Sequence, residues 1–138
     1  MRYLPYARAK TVPNVIVDGA RNDGTVLTLS HWPKSGSPGE LKGDTSTVIV
    51  FNYLDSPRFH VDVDVASNDH FDEDGLVGLF AMLNPDLAQR HRDLLVDVAQ
   101  AGDFGLFARR HAARIAFVLS AYADSESSPL PGHIFSLP

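Results

Sequence analysis

The chain contains no cysteine, which removes disulfides, zinc ribbons and thiol chemistry and leaves the redox compartment undecided. It also lacks any apolar run near the roughly 18 residues that a membrane span needs. The start, Met1-Arg2-Tyr3-Leu4-Pro5, has none of the apolar core of a signal peptide, so a cytoplasmic location is expected. Basic residues are few: 12 Lys and Arg against 17 Asp and Glu give a net charge of −5. Apart from Arg109-Arg110 and Arg114 they are scattered, which argues against bulk nucleic-acid binding through phosphates and leaves no basic face for a membrane surface. No internal repeat, phosphate-cradling loop or dinucleotide fingerprint is present. The one glycine-rich stretch, Gly36-Ser37-Pro38-Gly39, has the wrong spacing for either.

What is present suits one globular domain, since 138 residues, 44% of them hydrophobic, are enough to bury a core. Asn14–Asp18 and Thr25–Ser30 read as strands, and so short a connection between them predicts an antiparallel pair. A long loop follows over 32–45. The β-branched run Ser46–Leu54 predicts a central strand. Phe59–Ala66 alternates apolar and polar residues as a half-buried strand does, which puts Asp62 and Asp64 on its wet side. Helices are expected at Leu76–Leu83, from Asn84-Pro85 to about Gln100, and at about Leu106–Ala123. The expected fold class is therefore α/β, a mixed sheet of four strands with the N-terminal ones partly antiparallel, packed with at least three helices. The domain is expected to cover residues 1–124. Residues 125–138, rich in Pro and Ser, read as a linker, a truncated continuation or a tail that pairs with another chain.

Between the valine-rich run and the apolar helix lies Ser67-Asn68-Asp69-His70-Phe71-Asp72-Glu73-Asp74-Gly75. In extended backbone, alternate side chains share a side, so His70, Asp72 and Asp74 converge. Crowded carboxylates repel unless a cation sits among them, and one imidazole with two carboxylates suits Mn²⁺, Fe²⁺ or Zn²⁺ better than Ca²⁺. The plain alternative is an acidic turn whose Asp residues cap the next helix. His31, directly after a strand, is a candidate general base or ligand; the plainer reading, and the favoured one, is a loop histidine packed on Trp32. Arg110, His111 and Arg114 form a group able to hold an anion, or simply a solvated helix face. Asp18-Gly19 ends a strand as site residues often do, and a turn explains it as well. His60, His91 and His133 read as structural or exposed.

A strand, then His70-x-Asp72-x-Asp74-Gly75, then an apolar helix resembles the first metal motif of the DHH-type phosphoesterases. The resemblance implies a pair of divalent ions, Mn²⁺ by preference, and water-driven attack on phosphorus. It assigns His70, Asp72 and Asp74 as ligands and points to Asp103, in Ala-Gly-Asp-Phe-Gly, as a further one. Asp69 and Glu73 would then support the ligands or act as acid and base. The Asp-His-His triplet of that superfamily is not present, as Asp69-His70 runs into Phe71. The string also looks like an uncharacterised bacterial family with Asn-His-Phe-Asp-x-Asp-Gly, which implies no activity. The expectation is a metal-dependent hydrolase, phosphoesterase-like, acting on a small anionic substrate. Two rivals stand beside it: a non-catalytic partner-binding domain, and a non-haem iron oxygenase-type enzyme.

Overall fold

The computed structural model describes residues 1–126 and 128–136. Four short strands form one sheet: β1 (Arg2–Tyr3), β2 (Asn14–Val17), β3 (Thr25–Leu29) and β4 (Val65–Ser67). Their order is β1-β4-β2-β3. The helices are α1 (Tyr6–Ala9), α2 (Ser46–Leu54), α3 (Glu73–Leu83), α4 (Pro85–Arg90), α5 (Arg92–Phe104) and α6 (Arg110–Ala123). The α/β class and a sheet of four strands are as expected, but β1 falls where no strand was expected and Ser46–Leu54 is not among the four. α2 and α3 pack on the sheet and on each other, α5 packs on both, and α6 packs on α5. Among the described residues no helix is long and apolar enough to cross a membrane.

The strand directions correct the expected antiparallel pair, because every pairing in the sheet is parallel. Asp18, at φ 47°, turns the chain sharply at the end of β2. The segment 18–24 then runs back to the start of the sheet. Its seven residues reach about 23 Å, ample to retrace a four-residue strand of about 13 Å. The return is pinned along its length. Tyr6 Oη donates to the carbonyls of Ala20 and Arg21, and Asn14 Nδ2 donates to Asn22 Oδ1. Gly19 is needed here, since a Cβ at that position would lie 2.5 Å from Asp69 Oδ1.

Ser46–Leu54 is a helix, not the expected central strand. Burial on almost every side erases the periodicity that separates a buried helix from a buried strand, and β-branched residues disfavour helix by only a few tenths of a kcal/mol each, on the order of 0.5. Its first turn is held from outside. Thr45 Oγ1 accepts from Val48 N, and the Asp74 carboxylate accepts from Ser46 N at 2.6 Å and Thr47 N at 2.7 Å. The expected strand at 59–66 shrinks to Val65–Ser67 for a related reason. Pro57–Phe59 is a 3-10 turn, and the chain after it is tied to the end of α2 by His60 Nε2 on the Tyr53 carbonyl and Val61 N on Tyr53 Oη. Asp62 and Asp64 are exposed, as expected.

The helices begin and end elsewhere than expected. Asp72 Oδ1 accepts from Gly75 N at 2.7 Å, so α3 starts at Glu73 and takes Asp74 into its first turn. The second expected helix divides at His91 into α4 and α5. The third begins at Arg110, because the buried Asp97 carboxylate accepts from the amides of Ala108 and Arg109. Gly78 lets α3 lie close on the sheet, since a Cβ there would meet Val17 Cγ1 at 2.7 Å. Of the tail, Gly132–Ser136 forms a 3-10 turn, while Ser127, Leu137 and Pro138 lie outside the described residues.

Candidate metal centre

A parallel sheet brings the carboxyl ends of its strands to one edge, the place where open α/β sheets bind ligands. Here Asp18 follows β2, His31 follows β3 by two residues, and Asn68–Asp72 follows β4. Asp74 arrives from the first turn of α3 and Asp103 from the last turn of α5. His31 Nε2 lies 3.6 Å from Asp18 Oδ1, 3.9 Å from Asp74 Oδ2 and 3.5 Å from Asp103 Oδ2. His70 Nε2 lies 3.2 Å from Asp18 Oδ2 and 2.7 Å from Asp72 Oδ2. Two sets of converging ligand atoms result, Asp18/His31/Asp74 and Asp18/His70/Asp72, with Asp18 common to both.

The ring orientations of both histidines are set from behind. His31 Nδ1 sits 2.9 Å from the Asp44 carbonyl, which only accepts, so that nitrogen carries the proton. In the neutral ring the Nε2 lone pair then faces three carboxylates. His70 Nδ1 lies 3.0 Å from Asp69 Oδ1, a carboxylate behind an imidazole, the support that metal-ligating histidines commonly receive. Trp32 lies against the His70 ring at 5.1 Å between centroids, and the edge of Phe104 meets His31. The expected packing of Trp32 on a histidine is therefore found on His70 and not on His31.

Counting hydrogen bonds separates structural work from what is left over. Asp74 spends both oxygens on the start of α2, and Asp72 spends Oδ1 on the cap of α3. Asp69 Oδ2 holds Ala20 N, and Asp18 Oδ1 takes the Ser46 hydroxyl at 2.6 Å. Asp18 Oδ2 and Asp103 Oδ2 remain, both buried and without a hydrogen bond, each facing an imidazole Nε2, that of His70 at 3.2 Å and that of His31 at 3.5 Å. An unpaired buried carboxylate oxygen is costly. It shows in the acidities: burial first, then the charges of Asp72 and Asp74, push Asp18 up to about 7 although the Ser46 bond opposes it. Burial and the charge of Asp74 raise Asp103 to about 6, against the pull of His31. Burial lowers the His70 imidazole, but the bonds to Asp69 and Asp72 and the charges of Asp72 and Asp18 outweigh it, so the net shift is upward.

The single extended edge expected for His70, Asp72 and Asp74 is thus divided. His70 and Asp72 stay together, while Asp74 sits one turn into α3 on the His31 side. Asp103 joins the His31 side. Asp69 stands behind His70. Glu73 is buried between α3, α5 and α6, where Ser120 Oγ donates to it. Arg110, His111 and Arg114 are exposed on α6, and none bonds or pairs with a residue of the cluster. Asp18, which the sequence leaves open between a strand-end site residue and a turn, is shared by both sets.

Fold and site together define a parallel α/β domain with a histidine–aspartate cluster at the carboxyl ends of its strands. The chain belongs to a family of unknown function, DUF6687, whose profile matches residues 1–134. No curated protein and no solved structure matches it.

Proposed function

We propose that the protein is a metal-dependent hydrolase of the phosphoesterase type, acting in the cytoplasm on a small anionic substrate with a pair of divalent cations, Mn²⁺ by preference. The observation that carries this reading is the pair of ligand sets joined at Asp18, whose second oxygen is buried without a hydrogen bond. Helix capping, the rival account of the acids, explains Asp74 and Asp72 Oδ1. It does not account for the convergence of His31, His70, Asp18 Oδ2 and Asp103 Oδ2 on one another. The parallel sheet also suits the resemblance of the His70–Gly75 stretch to the DHH-type motif.

In this reading Asp18 would serve both ions, His70 and Asp72 would hold one, and His31 and Asp74, with Asp103 beside them, would hold the other. Bound ions would supply positive charge beside the phosphoryl group and a water acidic enough to act near neutral pH. The chain's own groups do the rest. Asp69 and the Asp44 carbonyl fix the imidazoles so that Nε2 faces inward, and Ser46 orients Asp18. Mixed O/N donors without sulfur favour Mn²⁺, with Fe²⁺ and Zn²⁺ as competitors.

The test is titration of the metal-free protein with Mn²⁺ by calorimetry, alongside hydrolysis of bis-p-nitrophenyl phosphate. The expected result is saturable binding and metal-dependent turnover, both lost in Asp18→Asn with folding checked by circular dichroism. A folded wild-type protein that takes up no divalent ion would overturn the reading.

A further inference from the structure

An apolar groove borders the cluster at His70, the one proposed ligand among its lining residues. Its volume is about 710 Å³, and Asn68, Asp69 and His70 line the end nearest the site. That is within the range of pockets that enclose an organic ligand, about 300–1,000 Å³. Away from that end one wall is a stripe of α3, Leu76, Leu79, Phe80 and Leu83. This i, i+3, i+4, i+7 spacing puts all four on one helix face. The opposite wall comes from the N-terminal segment, chiefly Tyr3 and Tyr6. Among the described residues no Lys or Arg lines the groove, and its ionisable acid and imidazole groups are Asp69 and His70.

The axis of the groove follows from the helix. Asp72 caps α3 inside the cluster, so the stripe starts at the site and runs away from it for about 10 Å from Leu76 to Leu83. Leu76, Phe80 and Leu83 are only half-buried, so this stripe is incompletely covered by the chain. A ligand lying along it touches His70 at one end, the apolar face of α3 between, and Asn84 at the other. Inorganic phosphates and sugar phosphates gain nothing from the α3 stripe itself, because its four side chains offer their hydroxyls and charges no donor in place of water.

We infer that the substrate is an organic phosphoester whose phosphoryl group meets the metal cluster and whose apolar group, an alkyl chain or aromatic ring, lies along α3 against Tyr3 and Tyr6. This deepens the hydrolase reading and rests on it. The groove's border with the site at His70 favours a ligand that occupies both. Each CH₂ taken from water into such a wall tightens binding by roughly three- to fourfold.

The experiment is calorimetry on the full chain in two stages. The first titrates Mn²⁺ alone. The second titrates the Mn²⁺-loaded protein with ethyl, butyl, hexyl and octyl phosphonate, which resist hydrolysis, and with 1-naphthylmethyl phosphonate. The expected result is affinity rising roughly three- to fourfold per CH₂ until the groove is filled, and a naphthyl ligand at least as tight as the hexyl one if rings are preferred. Ala7 is exposed and lines the groove, so Ala7→Trp fills it. That variant should keep the Mn²⁺ isotherm and lose the chain-length increment. A flat series on a protein that binds Mn²⁺ normally would overturn the inference and leave the hydrolase reading standing. Absence of Mn²⁺ binding would overturn both. An increment that persists in folded Ala7→Trp would place the chain elsewhere and overturn the assignment to this groove.

Discussion

The Ser46 hydroxyl donates to Asp18 Oδ1 at 2.6 Å and accepts from the backbone N–H of His31 at 3.0 Å. One buried side chain at the start of α2 thus ties together the residues that follow β2 and β3, one from each of two adjacent strands. Removing the hydroxyl leaves a buried carboxylate oxygen and a backbone N–H without partners. Ser46→Ala should lower Mn²⁺ affinity by about 10- to 100-fold, the usual penalty for losing a group that orients a ligand. It should also lower stability by roughly 1–3 kcal/mol. Calorimetry and urea denaturation read the two effects, and unchanged affinity would remove Ser46 from the site.

Asp69 makes a separable prediction, because it contacts His70 and not His31. In Asp69→Ala the imidazole of His70 loses its support, and Ala20 N loses its acceptor. The ion held by His70 and Asp72 should weaken by about 10- to 100-fold while the ion near His31 binds as before. The Mn²⁺ isotherm should therefore split into a tight and a weak phase. Uniform weakening of both phases would mean that the two sets are not separate sites.

The third prediction is a control away from the cleft. Asp97 is buried, and its carboxylate accepts from Ala108 N at 2.7 Å and Arg109 N at 2.8 Å, holding the chain into α6. Hydrogen bonds to a charged acceptor contribute about 1.5–3 kcal/mol each, and the two share one side chain. Asp97→Ala should cost roughly 2–4 kcal/mol in chemical denaturation and leave Mn²⁺ affinity within twofold, about the error of such a comparison. Loss of metal binding at intact fold would show that α6 and the cleft are coupled.

The acidic stretch 67–75 was legible because its residue types are unusual together, and the apolar helix after it because its composition is plain. What could not be read was which residues meet it. An antiparallel reading of Asn14–Asp18 and Thr25–Ser30 puts Asp18 and His31 at opposite edges of the sheet, whereas the parallel one puts them side by side. That difference depends on a seven-residue return held by Tyr6, Asn14 and Asp69, contacts that no local pattern encodes. Ser46–Leu54 was misread for the same kind of reason. The first turn of its helix is capped by Asp74, 28 positions further along the chain from Ser46, and propensity alone favours a strand. His70 and Asp72 were legible as partners because they lie two residues apart; Asp103 entered only through the family likeness.

The acidities of the cleft give the last prediction, on the metal-free protein. Asp18 at about 7 and Asp103 at about 6 both stand above the ordinary 3.8, and His70 stands above its ordinary 6.5. For each group the folded chain binds a proton more tightly than the unfolded chain. Between about pH 4 and pH 7 the folded state therefore carries more protons, and the stability these groups contribute falls as pH rises. Thermal unfolding of the metal-free protein should show a higher Tm near about pH 5 than near about pH 7.5. Saturating Mn²⁺ should reverse that slope, because ligands must shed their protons to bind and the ion then stabilises the folded state by mass action. Asp18→Asn should flatten the metal-free slope, since an amide in that place does not titrate and no longer repels Asp72 and Asp74. A metal-free Tm that rises across this window would mean that the buried carboxylates are already compensated, and the need for a cation between His31 and His70 would go with it.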